Sequence, residues 1–141
     1  MEDDDDGVVD AAIRALSISK DMVAEATNVR IPRSDSGSRS PFDTLQIRVG
    51  IHVGDVTCGV LGQRLPKFTT CGKAVNMAAR MEQTSRPGCI RVTKDFHDLI
   101  GDIESGWMEK EVISLKNMGE VETYLLDPMQ SRMREDSDMW R

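Results

Sequence analysis

Asn76 and Arg80 stand four residues apart in KAVNMAARME, a spacing that stacks their side chains one turn apart on one helical face. Val75, Ala78 and Ala79 cover the rest of that helix, predicted from about Lys73 to Thr84. An extended segment, Pro66–Thr70, leads into it through Gly72. A strand, a glycine and a helix carrying a carboxamide and a guanidinium on one side make a seat for a phosphate-bearing ligand, because an arginine fork matches phosphate oxygens in charge and geometry. Other candidates are weaker on residues alone. Arg64 and Lys67 flank a turn at Pro66, where surface cations are common, and Lys116 sits in a turn 36 residues beyond Arg80. Gly72-Lys73-Ala74 does not make a P-loop, since no glycine lies five residues before Gly72 and no Ser or Thr follows the lysine.

Metal and thiol chemistry find little support. Met1–Asp6 is a run of acids whose side chains cannot all converge on one ion and whose spacing is not that of a calcium loop, so residues 1–7 read as a solvated, disordered acidic terminus. Cys58, Cys71 and Cys89 lack CxxC spacing and read as reduced thiols, neither a disulfide frame nor a zinc site. His52 has no metal partner at useful spacing and is read as structural.

The elements that must position Asn76 and Arg80 follow from periodicity. An amphipathic helix is predicted from about Val8 to Thr27, with Asp10 as its candidate cap and Asp6 as competitor. Residues 31–43 are rich in Pro, Gly and Ser and read as a flexible surface loop, its serines lying near Arg33 and Arg39. Leu45–Val53 and Val56–Leu61 read as two strands joined at Gly54-Asp55 in an antiparallel hairpin. Beyond the Asn76 helix come a strand over Gly88–Val92, a helix over Thr93–Ile100 capped by Thr93, an extended segment over Trp107–Leu115 and a closing strand over Val121–Leu126. Residues 129–141 read as a charged tail without an apolar face.

At 141 residues and 39% hydrophobic content the chain suits one domain with a modest core. A net charge of −6 argues against nucleic acid, whose binding rests on excess Lys and Arg. No apolar run approaches the roughly 18 residues that span a bilayer, and an intracellular, cytoplasmic location is expected, alone or as the inner part of a membrane-bound protein.

The blocks RVGIHVGDV, GVLGQR, KFTTCGKAVNMAARME, GCIRVTKD and LKNMGEVETYLL resemble the catalytic domain of class III nucleotide cyclases, the adenylate and guanylate cyclase family. The resemblance runs from roughly Asp10 to Asp127 and puts a partial cyclase domain at residues 8–128. It implies a ferredoxin-like α+β core, mainly antiparallel, with helices on one face and the family's first strands without a counterpart in this chain. By the same resemblance Asn76 orients the ribose and Arg80 stabilises charge on the phosphate during cyclisation. Lys116 and Arg64 then hold the triphosphate, and Thr69 stands where the family discriminates purines. A hydroxyl there can accept a hydrogen bond from the adenine amino group, which favours ATP over GTP. Lys73 and Met118 depart from the family pattern, Met118 replacing a second basic residue.

The resemblance further implies Mg²⁺ or Mn²⁺ held by two aspartates that this chain does not carry, and a site formed between two cyclase domains, as a homodimer or heterodimer. The expected function is conversion of ATP to cyclic AMP and pyrophosphate, with the chain inactive alone for want of the metal aspartates. The alternatives are a guanylate cyclase making cyclic GMP and a non-catalytic, partner-binding cyclase-like module.

Overall fold

The computed structural model describes residues 3–33 and 42–140. Its centre is a four-stranded sheet in the order β3 (Val49–Ile51), β6 (Ile90–Thr93), β8 (Gly119–Leu126), β7 (Glu111–Leu115). β3 and β6 run parallel; β6–β8 and β7–β8 are antiparallel. Two separate hairpins, β1 (Arg30–Pro32) with β2 (Phe42–Thr44) and β4 (Thr57–Leu61) with β5 (Lys67–Cys71), are also antiparallel. The antiparallel-rich α+β architecture expected from the sequence is therefore present.

The helices divide between the faces of the sheet instead of sharing one. Val49 and Ile51 of β3 pack into a core with Ile90, Val92, Leu126, Leu16 and Val23 of α1 (Asp3–Ala26), and Phe96 and Ile100 of α3 (Lys94–Ile100). Gly50, between them, faces the other way by strand alternation, onto α2 (Lys73–Thr84). The seat is close enough that a Cβ on Gly50 would lie 2.1 Å from the Glu82 nitrogen and 2.5 Å from the Ala78 carbonyl oxygen. The backbones of α2 and β3 thus touch where no side chain can intervene.

The expected hairpin between Leu45–Val53 and Val56–Leu61 does not form. β3 is confined to Val49–Ile51 and pairs with β6, while β4 pairs with β5 in a five-residue register from Thr57↔Cys71 to Leu61↔Lys67. The stretch holds two glycine-bearing bends, and the reversal falls at the second, where Gly62 adopts φ 105°. At the first, Gly54 lies against α2, where an added Cβ would come within 2.9 Å of the Ala74 methyl, so the chain passes along the helix instead of folding back on β3. Among the described residues the outer edge of β3 pairs with no strand.

Three terminal and loop expectations also change. α1 begins at Asp3 rather than Val8, so part of the acidic run predicted as disordered is helical. Acids at the positive end of a helix are favourable by its dipole, which compensates for Gly7 inside it. Asp10 is therefore no cap; it pairs with Arg14 at 2.7 Å across one turn. The ends of the predicted 31–43 loop pair as β1 and β2, with Arg33 and Asp43 in contact at 3.1 Å, and the serines between lie outside the described residues. The predicted charged tail forms α4 (Pro128–Asp138), opened by a proline at the first helical position and by Asp127, whose carboxylate accepts from the Met129 and Gln130 amides.

Glu104 fixes α4 to the body of the fold. It is 6% exposed and accepts hydrogen bonds from the Lys20 ammonium of α1, the Gly106 amide and the Ser131 hydroxyl of α4. Burial pushes its pKa up, but the bonds from Lys20, Gly106 and Ser131 outweigh burial and hold it below the ordinary glutamate value. A carboxylate with a depressed folded pKa contributes stability above its unfolded pKa and loses it as pH falls through the folded one. The denaturation midpoint should accordingly drop below about pH 4. Glu104→Ala should cost about 3 kcal/mol at neutral pH, because it strands a partly buried ammonium and a buried hydroxyl. It should also flatten the acid limb, which urea titrations at several pH values would register.

Candidate functional site

α2 carries the residues singled out by spacing, and its start is set by backbone geometry. Gly72 takes φ 135°, a conformation L residues avoid, and turns the chain from β5 directly into the helix. The Asn76 amide then donates to the Gly72 carbonyl at 3.3 Å. Ala74 and Met81 are buried, which leaves Asn76, Arg80 and Gln83 in a row on the exposed face.

The turn between β7 and β8 comes to meet that face. The ladder closes at Leu115↔Gly119, and Asn117 and Gly119 take φ 66° and 74°. Asn tolerates that left-handed conformation and glycine favours it, so three residues suffice to reverse the chain. The result is a groove of about 350 Å³ lined by Asn76, Ala79, Arg80, Gln83, Lys116, Asn117 and Met118. Lys116, 36 residues from Arg80 in sequence, is brought there by the sheet. Neither cation forms an ion pair among the described residues, and Glu82, the nearest acid on α2, is turned to Arg48 at 2.8 Å. The groove thus presents two uncompensated cations and three carboxamides with no carboxylate in its lining, an arrangement that favours an anion carrying several oxygens.

Thr69 and Arg64 do not line this groove. Thr69 lies in β5 opposite Gly59, its hydroxyl 3.4 Å from the Lys67 carbonyl oxygen. Arg64 is exposed in the β4–β5 turn. The hairpin that carries both is a two-stranded sheet of its own, with Val60, Leu61, Leu65 and Phe68 exposed. Spacing alone could have found Gln83, which shares the face of Asn76 and Arg80 at i+7 and i+3; Asn117 carries no such signal. Thr93 occupies the N-cap of α3 as expected, but makes no capping bond: its hydroxyl lies 2.7 Å from His52 Nδ1. Burial of His52 lowers its pKa against the opposing pull of Asp95.

The family profile of the adenylate and guanylate cyclase catalytic domain matches residues 5–128. The chain belongs to that family. Its fold agrees with that of solved class III cyclase cores. The catalytic core of a rhodopsin-guanylyl cyclase with converted specificity, in complex with ATPalphaS, superposes with a TM-score of 0.69 at 27% identity over 82% of this chain and 58% of that one. A non-canonical dimeric guanylyl cyclase domain of the RhoGC fusion protein from Blastocladiella emersonii gives 0.57 at 26% identity, covering 82% of this chain and 57% of that one. The receptor-type guanylate cyclase gcy-14 of Caenorhabditis elegans is 38% identical over 96 residues, which are 66% of this chain but 9% of the relative. This cyclase chain therefore spans somewhat more than half of a solved cyclase core and a small part of a receptor-type relative.

Class III cyclases generally use divalent metal; among the described residues no group of three or more His, Cys, Asp or Glu is placed to hold an ion. Among the described residues no helix is long and apolar enough to cross a membrane.

Proposed function

We propose that this chain supplies the ribose- and triphosphate-contacting side of a cyclase site that converts ATP to cyclic AMP and pyrophosphate. The observation that carries the reading is the acid-free groove in which Asn76, Arg80 and Lys116 meet. In the reaction the 3′-oxygen bonds to the α-phosphorus, the bond from that phosphorus to the bridging oxygen breaks, the 3′-hydroxyl proton leaves to solvent, and pyrophosphate departs. Asn76 orients the ribose by hydrogen bonding. Arg80 lies one helical turn away and neutralises charge that grows on the phosphate oxygens as the bond forms. Lys116 holds the outer phosphates as a point charge, and its loop is fixed by Asn117 and Gly119.

The metal aspartates are assigned to a second catalytic domain, and the residues of this chain act on the base, the ribose and the phosphates. That assignment makes the working unit a dimer. The β4–β5 hairpin is exposed and separate from the main sheet, so Thr69 and Arg64 are proposed to act in that assembly, Thr69 on the base and Arg64 on phosphate. The hydroxyl of Thr69 as acceptor for the adenine amino group supports ATP. A second reading, GTP to cyclic GMP, is favoured by the relatives, of which gcy-14 is a receptor-type guanylate cyclase. The same relative supports an intracellular location as part of a larger receptor.

The test is incubation of the chain with Mn²⁺ and either ATP or GTP, alone and with a catalytic domain supplying the metal aspartates, followed by measurement of both cyclic nucleotides. Cyclic AMP from the pair and none from the chain alone is expected. Cyclic GMP as the main product would move the assignment to the second reading. No product in any pairing, with the partner domain still bound, would make this a non-catalytic module.

A further inference from the structure

We infer that Gln83 is a positioning residue for Arg80, an inference that rests on the proposed role of the groove as a triphosphate site. Arg80 Nη1 donates to Gln83 Oε1 at 3.2 Å, and both side chains line the groove. The two are three residues apart on the exposed face of α2, so the contact is set by the helix and needs no other element. The neighbouring side chains leave this partner to Arg80. Glu82 is engaged by Arg48 through both Nε at 3.0 Å and Nη2 at 2.8 Å, and the Thr84 hydroxyl donates to the Arg80 carbonyl at 2.8 Å, not to its guanidinium.

The chemistry of the partner matters as much as its place. A carboxamide oxygen restrains one edge of the guanidinium without cancelling its charge, and leaves the remaining N–H donors for an anion. A glutamate at the same position would hold Arg80 more tightly and spend its charge before any phosphate arrived. A long side chain with five donors on four rotatable bonds loses conformational freedom on binding, and a neutral clamp removes part of that loss in advance. Arg80 then waits in the groove beside Lys116, aimed and still cationic.

Two substitutions separate these effects. Gln83→Met keeps the length and removes the acceptor; Gln83→Glu keeps an acceptor and adds a negative charge. Both substitutions fall on the exposed face of α2, so melting temperatures should stay within a few degrees of the parent chain. In the chain alone, titration calorimetry with inorganic triphosphate should show Gln83→Glu weakening binding about tenfold and Gln83→Met changing it less than about threefold. The Arg80 Nε–Hε resonance in ¹⁵N spectra should broaden or merge with the bulk arginine signal in Gln83→Met and stay distinct in Gln83→Glu. Paired with the metal-supplying domain, Gln83→Met should lower kcat about tenfold with KM nearly unchanged. If Arg80→Ala weakens triphosphate binding while both Gln83 variants behave as the parent in calorimetry and NMR, the role of Gln83 is overturned and the groove remains an anion site. If the parent chain takes no triphosphate and Arg80→Ala changes nothing, the reading of the groove itself fails.

Discussion

Arg80→Ala should lower turnover of the assembled pair by about 100- to 1,000-fold while weakening nucleotide binding by about tenfold or less. The asymmetry follows from when the charge is needed. On the proposed reading the triphosphate already meets Lys116 in the ground state, and Arg80 adds one more cation in an open, hydrated groove lined by both, where a surface ion pair is worth little. As the 3′-oxygen closes on the α-phosphorus, charge concentrates on oxygens that a fixed guanidinium can reach and that water, once excluded by the second domain, no longer solvates. An interaction that strengthens in the transition state appears in kcat rather than in KM. Lys116→Ala should behave differently, losing binding and turnover together, because the outer phosphates carry their charge before and during the reaction. Steady-state kinetics on the pair, with direct nucleotide binding to each variant, would distinguish the two patterns. Equal losses in kcat/KM and in affinity for Arg80→Ala would mean that Arg80 merely binds.

Much of this site is legible in the amino-acid sequence. Helical spacing alone puts Asn76 and Arg80 on one face, and the glycine that starts α2 is visible as a break between an extended run and a helical one. Lys116 is not legible that way, since 36 residues of intervening chain place no local demand on it; only resemblance to cyclases singles it out, and the sheet then carries its turn to α2. Strand pairing is legible in kind but not in partner. Val56–Leu61 reads as half of a hairpin, and it is one, but with Lys67–Cys71, because both neighbouring bends contain glycine and alternation cannot tell which of them closes. α4 fails for a different reason. Its sequence has no sustained apolar stripe, and it is held by Asp127 at its start and by Ser131 on a buried Glu104, contacts that periodicity does not encode.

Gly50→Ala should be the most damaging single methyl in the protein, lowering stability by about 3 kcal/mol or more and taking the groove with it. The position is extended backbone, so no glycine-only conformation is lost. The cost is entirely steric. The new methyl would lie 2.1 Å from the Glu82 nitrogen, 2.5 Å from the Ala78 oxygen and 2.7 Å from the Met81 carbonyl carbon, all backbone atoms of α2 that cannot rotate away. Either β3 or the helix must move to relieve them. β3 is held by its parallel ladder to β6 from Val49↔Ile90 to Ile51↔Val92, and its other face is packed into the main core. The helix is the softer partner, and its displacement unseats Met81, which is fully buried. It also lifts Asn76, Arg80 and Gln83 away from the Lys116 turn. A variant that still folds should therefore lose triphosphate affinity although Gly50 lines no part of the groove, whereas alanine at Gly59, which has nothing within 4 Å of an added Cβ, should leave both stability and binding intact. Thermal melts and triphosphate titrations on the two variants make the comparison directly. A Gly50→Ala protein with parental stability would mean that α2 does not rest on the backbone of β3, and with it the convergence of Arg80 and Lys116 would fall.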